Sequence, residues 1–398
     1  MIKTPTPPST RIESIDLLRG SIMLIMALDH VRDYFHRPAY LFDPTDLTQT
    51  SPAIFFTRWI THFCAPLFMF LAGVSAYLYG QKKGRPALSF FLLTRGSWLL
   101  IAEMLIVTLG WTFNFRYPIL ILQVIWAFGI SMILLSLLVR WPLKAILATG
   151  LLLIFGHNLL DGIHVAGNGP AAIGWAMLHE QHFFFLSNNF GFMVGYPLLP
   201  WIGLISLGYC TGVFYTSSYD PSKRKRMLLG LGTGAILLFI LLRCLNIYGD
   251  PHPWSVQKSP LFTFMSVLNV TKYPPSLLYV LMTLGPGLLF LALTERPLNG
   301  LASRIVLIGR VPMFFYLVHI YFIHLLALAG AAICGYPLSD MVLHTWVSAN
   351  EQLRGYGFSL LVVYGVWIGV ILLLYPLCKA YEQYKRTNQS RQWWLSYI

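Results

Sequence analysis

About ten long apolar stretches follow one another along this chain of 398 residues, separated by short polar segments. Each stretch is close to the roughly 20 residues with which an α-helix crosses a lipid bilayer. Only 11% of the residues are charged and 56% are hydrophobic, whereas a soluble protein has about 25% charged residues. The sequence therefore predicts an all-α integral membrane protein and argues against a soluble enzyme, a fibrous protein or a disordered chain.

The apolar stretches form one predicted membrane domain over residues 17–380, with a polar segment 1–16 before it and a basic tail 381–398 after it. Hydropathy alone fixes the ends of each span to about three residues. The ten predicted transmembrane helices are Leu17–Phe35, Arg58–Tyr79, Phe90–Trp111, Pro118–Val139, Leu143–Leu160, Tyr196–Tyr215, Met227–Ile247, Ser276–Thr294, Ile305–Ile333 and Phe358–Lys379.

Lysine and arginine are concentrated in every second connection between the spans, whereas the long connection Asp161–Gly195 has neither. Because cytoplasmic loops carry the excess of these residues, both termini are predicted to be cytoplasmic and the long loops to face outward. The net charge of +13 is explained in this way, and we expect the lipid bilayer, not nucleic acid, as a partner.

The first span carries several ionisable residues on one face. Arg19 and His30 lie about 20° apart on a helix that turns roughly 100° per residue, and Asp16 and Asp33 fall within about 60° of Arg19. A charged residue inside a membrane costs roughly 2.5–3.5 kcal/mol, so it marks a functional site by default. The stripe predicts a site that reaches from the cytoplasmic side into the outer half of the membrane. For Asp33, an interfacial anchor is the alternative.

Ionisable residues also fall inside later spans, and four of them are further candidates for the site. Arg95 and Arg310 are expected near the cytoplasmic surface. Arg95 either binds a ligand or follows the positive-inside rule. His319 is expected near the middle of the membrane, where an interfacial role does not explain it. His62 is expected toward the outer side, either in the same cavity as His30 or in a structural hydrogen bond.

Cysteine and histidine patterns favour neither a disulfide framework nor a metal site. The 5 cysteines are scattered through apolar segments. His179 and His182 do not have the i, i+4 spacing of a zincin helix. We therefore predict no metal cofactor.

Two runs of residues carry a family resemblance. The run RIESIDLLRGSIMLIMALDHVRDYFH, followed by FFTRWITHFCAPLFMFLAG, resembles the bacterial relatives of heparan-alpha-glucosaminide N-acetyltransferase in the transmembrane acyltransferase superfamily. The SID-LLRG and FLAG elements are the specific parts, and residues 11–80 carry the strongest similarity. The spacing of Arg19 and His30 is also similar to that in the first helix of membrane O-acyltransferases that modify sugars.

The resemblance implies transfer of an acyl group, usually from cytoplasmic acetyl-CoA, to a sugar or amino sugar on the far side of the membrane. It also implies a location in the bacterial cytoplasmic membrane. The lysosomal enzyme has an asparagine where His30 aligns, and its catalytic histidine lies in the following outside segment. The role of base therefore falls on either His30 or His36.

The chemistry of acyl transfer assigns expected roles to these residues. Histidine is suited to take a proton near neutral pH, and a carboxylate, Asp29 or Asp33, would orient it. Arg19, Arg95 and Arg310 would hold the CoA phosphates. We expect His62, His319 and Asp16 to line the substrate site.

Buried histidines, carboxylates and arginines also occur in other membrane proteins, so two alternatives stay open. One is a proton-coupled secondary transporter of a small polar or anionic solute, and the other is a structural subunit. The acceptor, N- or O-transfer, an acyl-histidine intermediate and the oligomeric state, including a homo-oligomer, are also left open by the sequence.

Overall fold

The computed structural model describes residues 12–187, 190–295, 298–389 and 391–396, which form a helical bundle with a small sheet at one end. Parts of the predicted segments 1–16 and 381–398 lie outside the described residues. The last helix continues to Asn388, beyond the predicted end of the tenth span.

The described residues form fifteen α-helices and one three-stranded sheet. The helices are α1 Glu13–Phe35, α2 Pro52–Thr61, α3 Cys64–Lys83, α4 Arg85–Ile101, α5 Thr108–Thr112, α6 Val124–Leu138, α7 Leu143–Gly156, α8 Pro170–Leu178, α9 Leu199–Thr211, α10 Pro221–Leu245, α11 Pro260–Leu268, α12 Leu277–Leu293, α13 Gly300–Arg310, α14 Pro312–Ile333 and α15 Leu360–Asn388. The strands are β1 Ile119–Leu122, β2 His182–Ser187 and β3 Phe190–Val194.

Six helical segments of the described chain are long and apolar enough to cross a membrane. They contain α2 with α3, α4 with α5, α7, α10, α14 and α15. Three shorter apolar helices, α6, α9 and α12, lie where the fourth, sixth and eighth spans are predicted. Helix α1 occupies the first span but carries more charge. Helices thus lie at every predicted position, while the number ten and the direction of the termini stay predictions.

Three predicted spans are interrupted. In the second, α2 ends at Thr61 and α3 begins at Cys64. In the ninth, α13 ends at Arg310 and Pro312 begins α14, because proline fits a first helical position that needs no N–H donor. The fourth begins with strand β1 rather than helix. Hydropathy averages over such breaks and therefore did not predict them.

Helix α1 lies in the middle of the bundle, where it packs against α2, α3 and α12 to α15. Its crossing with α13 depends on two glycines. A Cβ on Gly20 would overlap the carbonyl oxygen of Ile305, and one on Gly309 would overlap that of Asp16. This close approach brings the start of α1 beside the end of α13. We call this end of the bundle the basic end.

The opposite, or loop, end carries the three-stranded sheet. Strand β1 pairs in parallel with β3, from Ile119 opposite Gly191 to Leu122 opposite Val194. Strand β2 pairs with β3 antiparallel. The sheet ties much of the predicted outside loop 161–195 to the segment before α6, so this loop forms one wall of the loop end.

Candidate active site

Two cavities approach each other along α1 from the two ends of the bundle. The first, of about 400 Å³, starts at the basic end, and we call it the basic cavity. The second, of about 670 Å³, opens at the loop end, and we call it the loop cavity. Asp29, His30, Tyr196 and Lys272 line both. These four residues, the junction, are therefore within reach of ligands from either end.

A hydrogen bond fixes the tautomer of His30 at the junction. His319 is fully buried, and its Nδ1 lies 2.9 Å from the carbonyl oxygen of Phe315, so Nδ1 is the donor. In neutral His319, Nε2 must then be an acceptor. His30 Nδ1 lies 2.7 Å from this Nε2 and donates to it. The lone pair of neutral His30 is therefore on Nε2, which is the nitrogen left to act as a base.

Aromatic rings hold the His30 imidazole in place. Its ring packs edge-on against Trp111 at 4.8 Å between centroids and lies nearly parallel to His319 at 4.9 Å. Tyr316 contributes a second edge contact at 6.2 Å. Since these partners come from α5 and α14, the orientation of His30 depends on the packing of three helices.

The carboxylates expected to orient His30 are bonded to arginines. Asp29 accepts hydrogen bonds from Arg58 Nη1 at 2.6 and 2.8 Å and from Arg32 Nη2 at 3.0 Å. Asp33 accepts one from Arg32 at 2.6 Å. Among the described hydrogen bonds, His319 holds the position beside His30 that the sequence assigned to a carboxylate. The two acids instead stabilise the arginines at the wall of the loop cavity.

Arg19 is held at the basic end by hydrogen bonds to α1, α3 and α13. Its guanidinium donates to Asp16 at 2.9 Å, to the carbonyl oxygen of Gly309 at 3.2 Å and to Ser75 Oγ at 3.1 Å. Asp16, which the sequence assigned to the substrate site, is itself buried and lines neither cavity. Its carboxylate positions Arg19 at the opening.

Cations from four helices surround the opening of the basic cavity. Arg19 of α1, Arg95 of α4, Arg310 of α13 and Lys385 of α15 all line it. Arg310 also lies 3.7–3.9 Å from carboxylate oxygens of three acidic residues, which are Glu13, Asp16 and Glu382. The structure therefore brings together the three arginines that the sequence grouped, and it adds a lysine from the last helix.

Between this opening and the junction, the walls of the basic cavity are apolar. The side chains that line this part include Met23, Met26, Phe68, Leu99, Phe128 and Met132. The basic cavity thus combines a cationic mouth with an apolar channel, which suits a ligand that has an anionic head and a slender, weakly polar arm.

The loop cavity has a different lining. It contains amides, hydroxyls, an indole and ionic groups, among them Gln123, Gln181, Tyr273, Trp346, Ser348, Glu351 and Arg354. Such groups offer hydrogen-bond donors and acceptors on several sides. The loop cavity therefore suits a ligand with many polar groups.

His36 and His62 line neither cavity. His36 is buried just beyond α1, where burial and then the charge of Arg32 lower its pKa to about 4. His62 is buried in the turn between α2 and α3, and its carbonyl oxygen accepts a hydrogen bond from Tyr279 at 2.7 Å. Both histidines are placed as parts of the protein core in this conformation.

Sequence reasoning missed Lys272 and Tyr196 as site residues. Both lie in connections, Lys272 before α12 and Tyr196 before α9, and both line the junction. A lysine in a predicted outside loop carries no pattern that separates it from ordinary surface charge. Only the folding of the loops over the end of α1 places them beside His30.

A comparison with protein families finds one family model that matches a long region of the chain. The family model described as "Heparan-alpha-glucosaminide N-acetyltransferase, catalytic" matches residues 11–248, more than half of the chain. The matched region contains α1 to α10, with Arg19, His30 and Arg95, and ends before Lys272 and His319. No curated protein matches the chain.

Proposed function

Because the chain belongs to the heparan-alpha-glucosaminide N-acetyltransferase catalytic family, we propose that it transfers an acyl group through the membrane. The family match confirms the resemblance that the sequence showed, and it indicates a membrane acetyltransferase. The donor is acyl-CoA, in particular acetyl-CoA, bound at the basic end. The acceptor is a hydroxyl or amine of a sugar or amino sugar bound in the loop cavity.

One observation carries this proposal: the two cavities share His30 as a lining residue. Arg19 and His30 are separated by roughly 16 Å along α1, about half of the hydrocarbon thickness. A donor whose phosphates bind at the basic end would therefore need a long arm to present its thioester at the junction. Coenzyme A has this form, with charged phosphates at one end and the thiol at the other.

The basic end fits the donor. Arg19, Arg95, Arg310 and Lys385 would form charge-assisted hydrogen bonds with phosphate oxygens. The apolar channel beyond them would exclude water from the thioester and so limit its hydrolysis. Asp16 would keep the Arg19 guanidinium pointed at the opening through their 2.9 Å bond.

At the junction, His30 would act as the general base. Its Nε2 takes the proton from the acceptor hydroxyl or amine while that oxygen or nitrogen attacks the thioester carbonyl carbon. The Lys272 ammonium, which lines both cavities, would stabilise the oxyanion that forms. As the C–S bond breaks, the proton on His30 returns to the thiolate, which leaves as CoA thiol.

His319 would position the base throughout this sequence. It keeps accepting the bond from His30 Nδ1 when His30 becomes cationic, so the ring does not rotate between its two proton transfers. This role corresponds to that of the carboxylate in a catalytic triad, with a neutral imidazole in its place.

Reconstitution in sealed vesicles tests the proposal. Purified protein is inserted into liposomes, labelled acetyl-CoA is supplied on one side and a panel of amino sugars and sugars on the other. We expect labelled acceptor to appear in the compartment opposite to the donor, and His30→Gln to abolish it. The exposed loop residue His164 provides the control variant His164→Gln. If wild-type protein neither binds acetyl-CoA nor consumes it with any acceptor, the proposed function is wrong.

A further inference from the structure

A second group of histidine and carboxylate side chains lies outside both cavities. His157 follows α7, Asp161 ends the next turn, and His179 follows α8. One ligand-type atom from each of the three residues lies within 4.8 Å of the others. Residues from two separate connections thus converge on one point at the loop end.

The two histidines are buried without sufficient hydrogen bonds. His157 is 2% exposed and His179 is 3% exposed. Among the described residues, neither ring nitrogen of His157 nor Nδ1 of His179 has a hydrogen-bond partner. Because an unpaired buried polar group costs about 1–3 kcal/mol, His157 would be stabilised by a ligand that accepts a lone pair from one of its ring nitrogens.

The carboxylate is oriented toward the same point. Asp161 Oδ1 forms a 3.0 Å hydrogen bond with His179 Nε2. This is slightly shorter than the roughly 3.3–3.6 Å between two tetrahedral ligands at about 2.0–2.2 Å from one ion, so a small movement would let both atoms bind an ion in place of the shared proton. Asp161 Oδ2 accepts a 2.8 Å bond from the Asn158 amide, and Asn158 Oδ1 accepts one from the backbone N–H of Leu277. Metal-binding carboxylates are commonly oriented by such outer hydrogen bonds.

We propose that His157, Asp161 and His179 bind one Zn²⁺ ion, with a water molecule as the fourth ligand. Two imidazoles and one carboxylate match the ligand preference of zinc. The ion joins the end of α7 to the connection that carries β2 and β3, and through Asn158 to the start of α12. Since Gln181 of this connection lines the loop cavity, the ion would fix one wall of that cavity.

This site differs from the zinc pair that the sequence argued against. Spacing excludes a zincin helix with His179 and His182, and in the structure His182 is the first residue of β2 and not a member of the cluster. The partner of His179 comes from the end of a preceding helix, a proximity that only the fold creates. The proposal does not depend on acyl transfer.

Metal analysis of the full-length protein tests the proposal. Purified protein is stripped with a chelator, incubated with Zn²⁺, desalted and analysed by mass spectrometry of the metal. We expect about one ion per chain, and we expect His157→Gln and His179→Gln to lose it. His164→Gln, which changes an exposed histidine of the same connection, should retain it. Zinc retained equally by all variants would place the ion elsewhere and overturn the proposal.

A measurement on the wild-type chain keeps the test valid if a variant does not fold. Stripped wild-type protein is titrated with Co²⁺, whose visible absorption reports coordination by nitrogen and oxygen, and Zn²⁺ is then added to displace it. We expect a spectrum that saturates at about one equivalent and is abolished by Zn²⁺. Wild-type protein that retains less than about a tenth of an equivalent of either metal contradicts the proposal, whatever the variants do.

Discussion

The two cavities border the same helix but have opposite chemistry. The basic cavity has cations at its mouth and an apolar channel behind them, whereas the loop cavity is larger and lined by polar, aromatic and ionic groups. A single stripe on α1 serves both, with Arg19 at one end and His30 where they meet. This difference supports the proposal that two chemically unlike ligands bind from opposite ends.

The family match covers most of the lining of both cavities. Arg19, Arg95 and His30 lie within residues 11–248, whereas Arg310 and Lys385 of the basic cavity and residues 346–354 of the loop cavity lie beyond that region. The match therefore does not separate the proposed donor end from the proposed acceptor end. That division rests on the chemistry of the two linings.

The proposed division of donor and acceptor between the two cavities requires that the basic end and the loop end of the bundle face different compartments. Gly169, near Gly167 in the predicted outside loop, has an ordinary φ of -78°, and no atom other than those of its chain neighbours would lie within 4 Å of an added Cβ. We expect Gly169→Cys to react almost completely with an impermeant thiol reagent in intact cells, because the charge distribution predicts that this loop is outside. A cysteine at Lys83, at the opposite end of the bundle, is the control and should need permeabilised cells. The reverse pattern would invert the assignment of donor and acceptor sides.

Loss of the base should have the largest effect on turnover. We expect His30→Gln to lower acyl transfer about 10²–10⁴-fold with acetyl-CoA binding retained, because its Nε2 takes the acceptor proton. His36→Gln is the matched comparison. His36 is buried outside both cavities and its pKa is about 4, so it is neutral near pH 7 and a smaller effect is expected. Normal turnover of His30→Gln beside an inactive His36→Gln would move the role to His36, and normal turnover of both would favour the transporter alternative.

The pair formed by His30 and His319 shows what the sequence could and could not predict. Helical periodicity placed Arg19, His30 and the acidic residues on one face of α1, because the period of a helix is a local property. The partner of His30 comes from 289 residues away, and no local pattern specifies it. The expectation of a carboxylate followed from proximity in sequence, but Asp29 and Asp33 bind the arginines that approach from α1 and α2.

For the fold, too, the sequence predicted the local features and missed others. Apolar length predicted where helices lie, while the breaks at Thr61 and Val311 and the sheet of β1 to β3 were missed. Hydropathy records how apolar a segment is but not whether its backbone turns or extends. The strands are short, largely apolar segments of four to six residues, and periodicity alone does not distinguish such short segments from a buried turn of helix.

Lys272 should rank next in effect, because it lies at the junction and not in either binding region alone. We expect Lys272→Met to lower kcat about 10²–10³-fold, the usual loss when an oxyanion-stabilising group is removed. Acetyl-CoA affinity, measured by equilibrium binding, should stay close to wild type. Lys258→Met changes a lysine of the preceding connection, before α11, that packs on the ring of Phe262, and this variant should have normal kcat. A Lys272 variant with unchanged kcat would remove this residue from the reaction.

Substitutions at the basic end should affect donor binding and leave the acceptor site unchanged. We expect Arg19→Leu and Arg95→Leu each to weaken acetyl-CoA binding about 10–100-fold, since a hydrogen bond to a charged group contributes about 1.5–3 kcal/mol. Isothermal titration of the detergent-purified variants measures this effect. Arg140→Leu, which removes an exposed arginine outside both cavities, is the control. Wild-type affinity in both variants would show that these arginines serve only the packing of α1 and α4.

The smallest effect is expected at the far wall of the loop cavity, in Gln123. This residue follows β1, lines the loop cavity and is 9% exposed, and its Nε2 has no hydrogen-bond partner among the described residues. An amide donor in that position is suited to bind an acceptor oxygen. Loss of one such bond is worth about 0.5–1.5 kcal/mol, so Gln123→Leu should lower kcat/KM for the acceptor about 2–10-fold. The acetyl-CoA dissociation constant should not change, because the basic cavity does not contain this residue.

Gln352→Leu is the matched control, since Gln352 is exposed near the loop cavity without lining it. Steady-state kinetics with the acceptor varied at saturating donor separates the two variants. If Gln123→Leu weakened donor binding and left acceptor kinetics unchanged, the two cavities would not divide the ligands as proposed. A selective loss of kcat/KM for the acceptor would instead support acceptor binding in the loop cavity, including the wall next to β1.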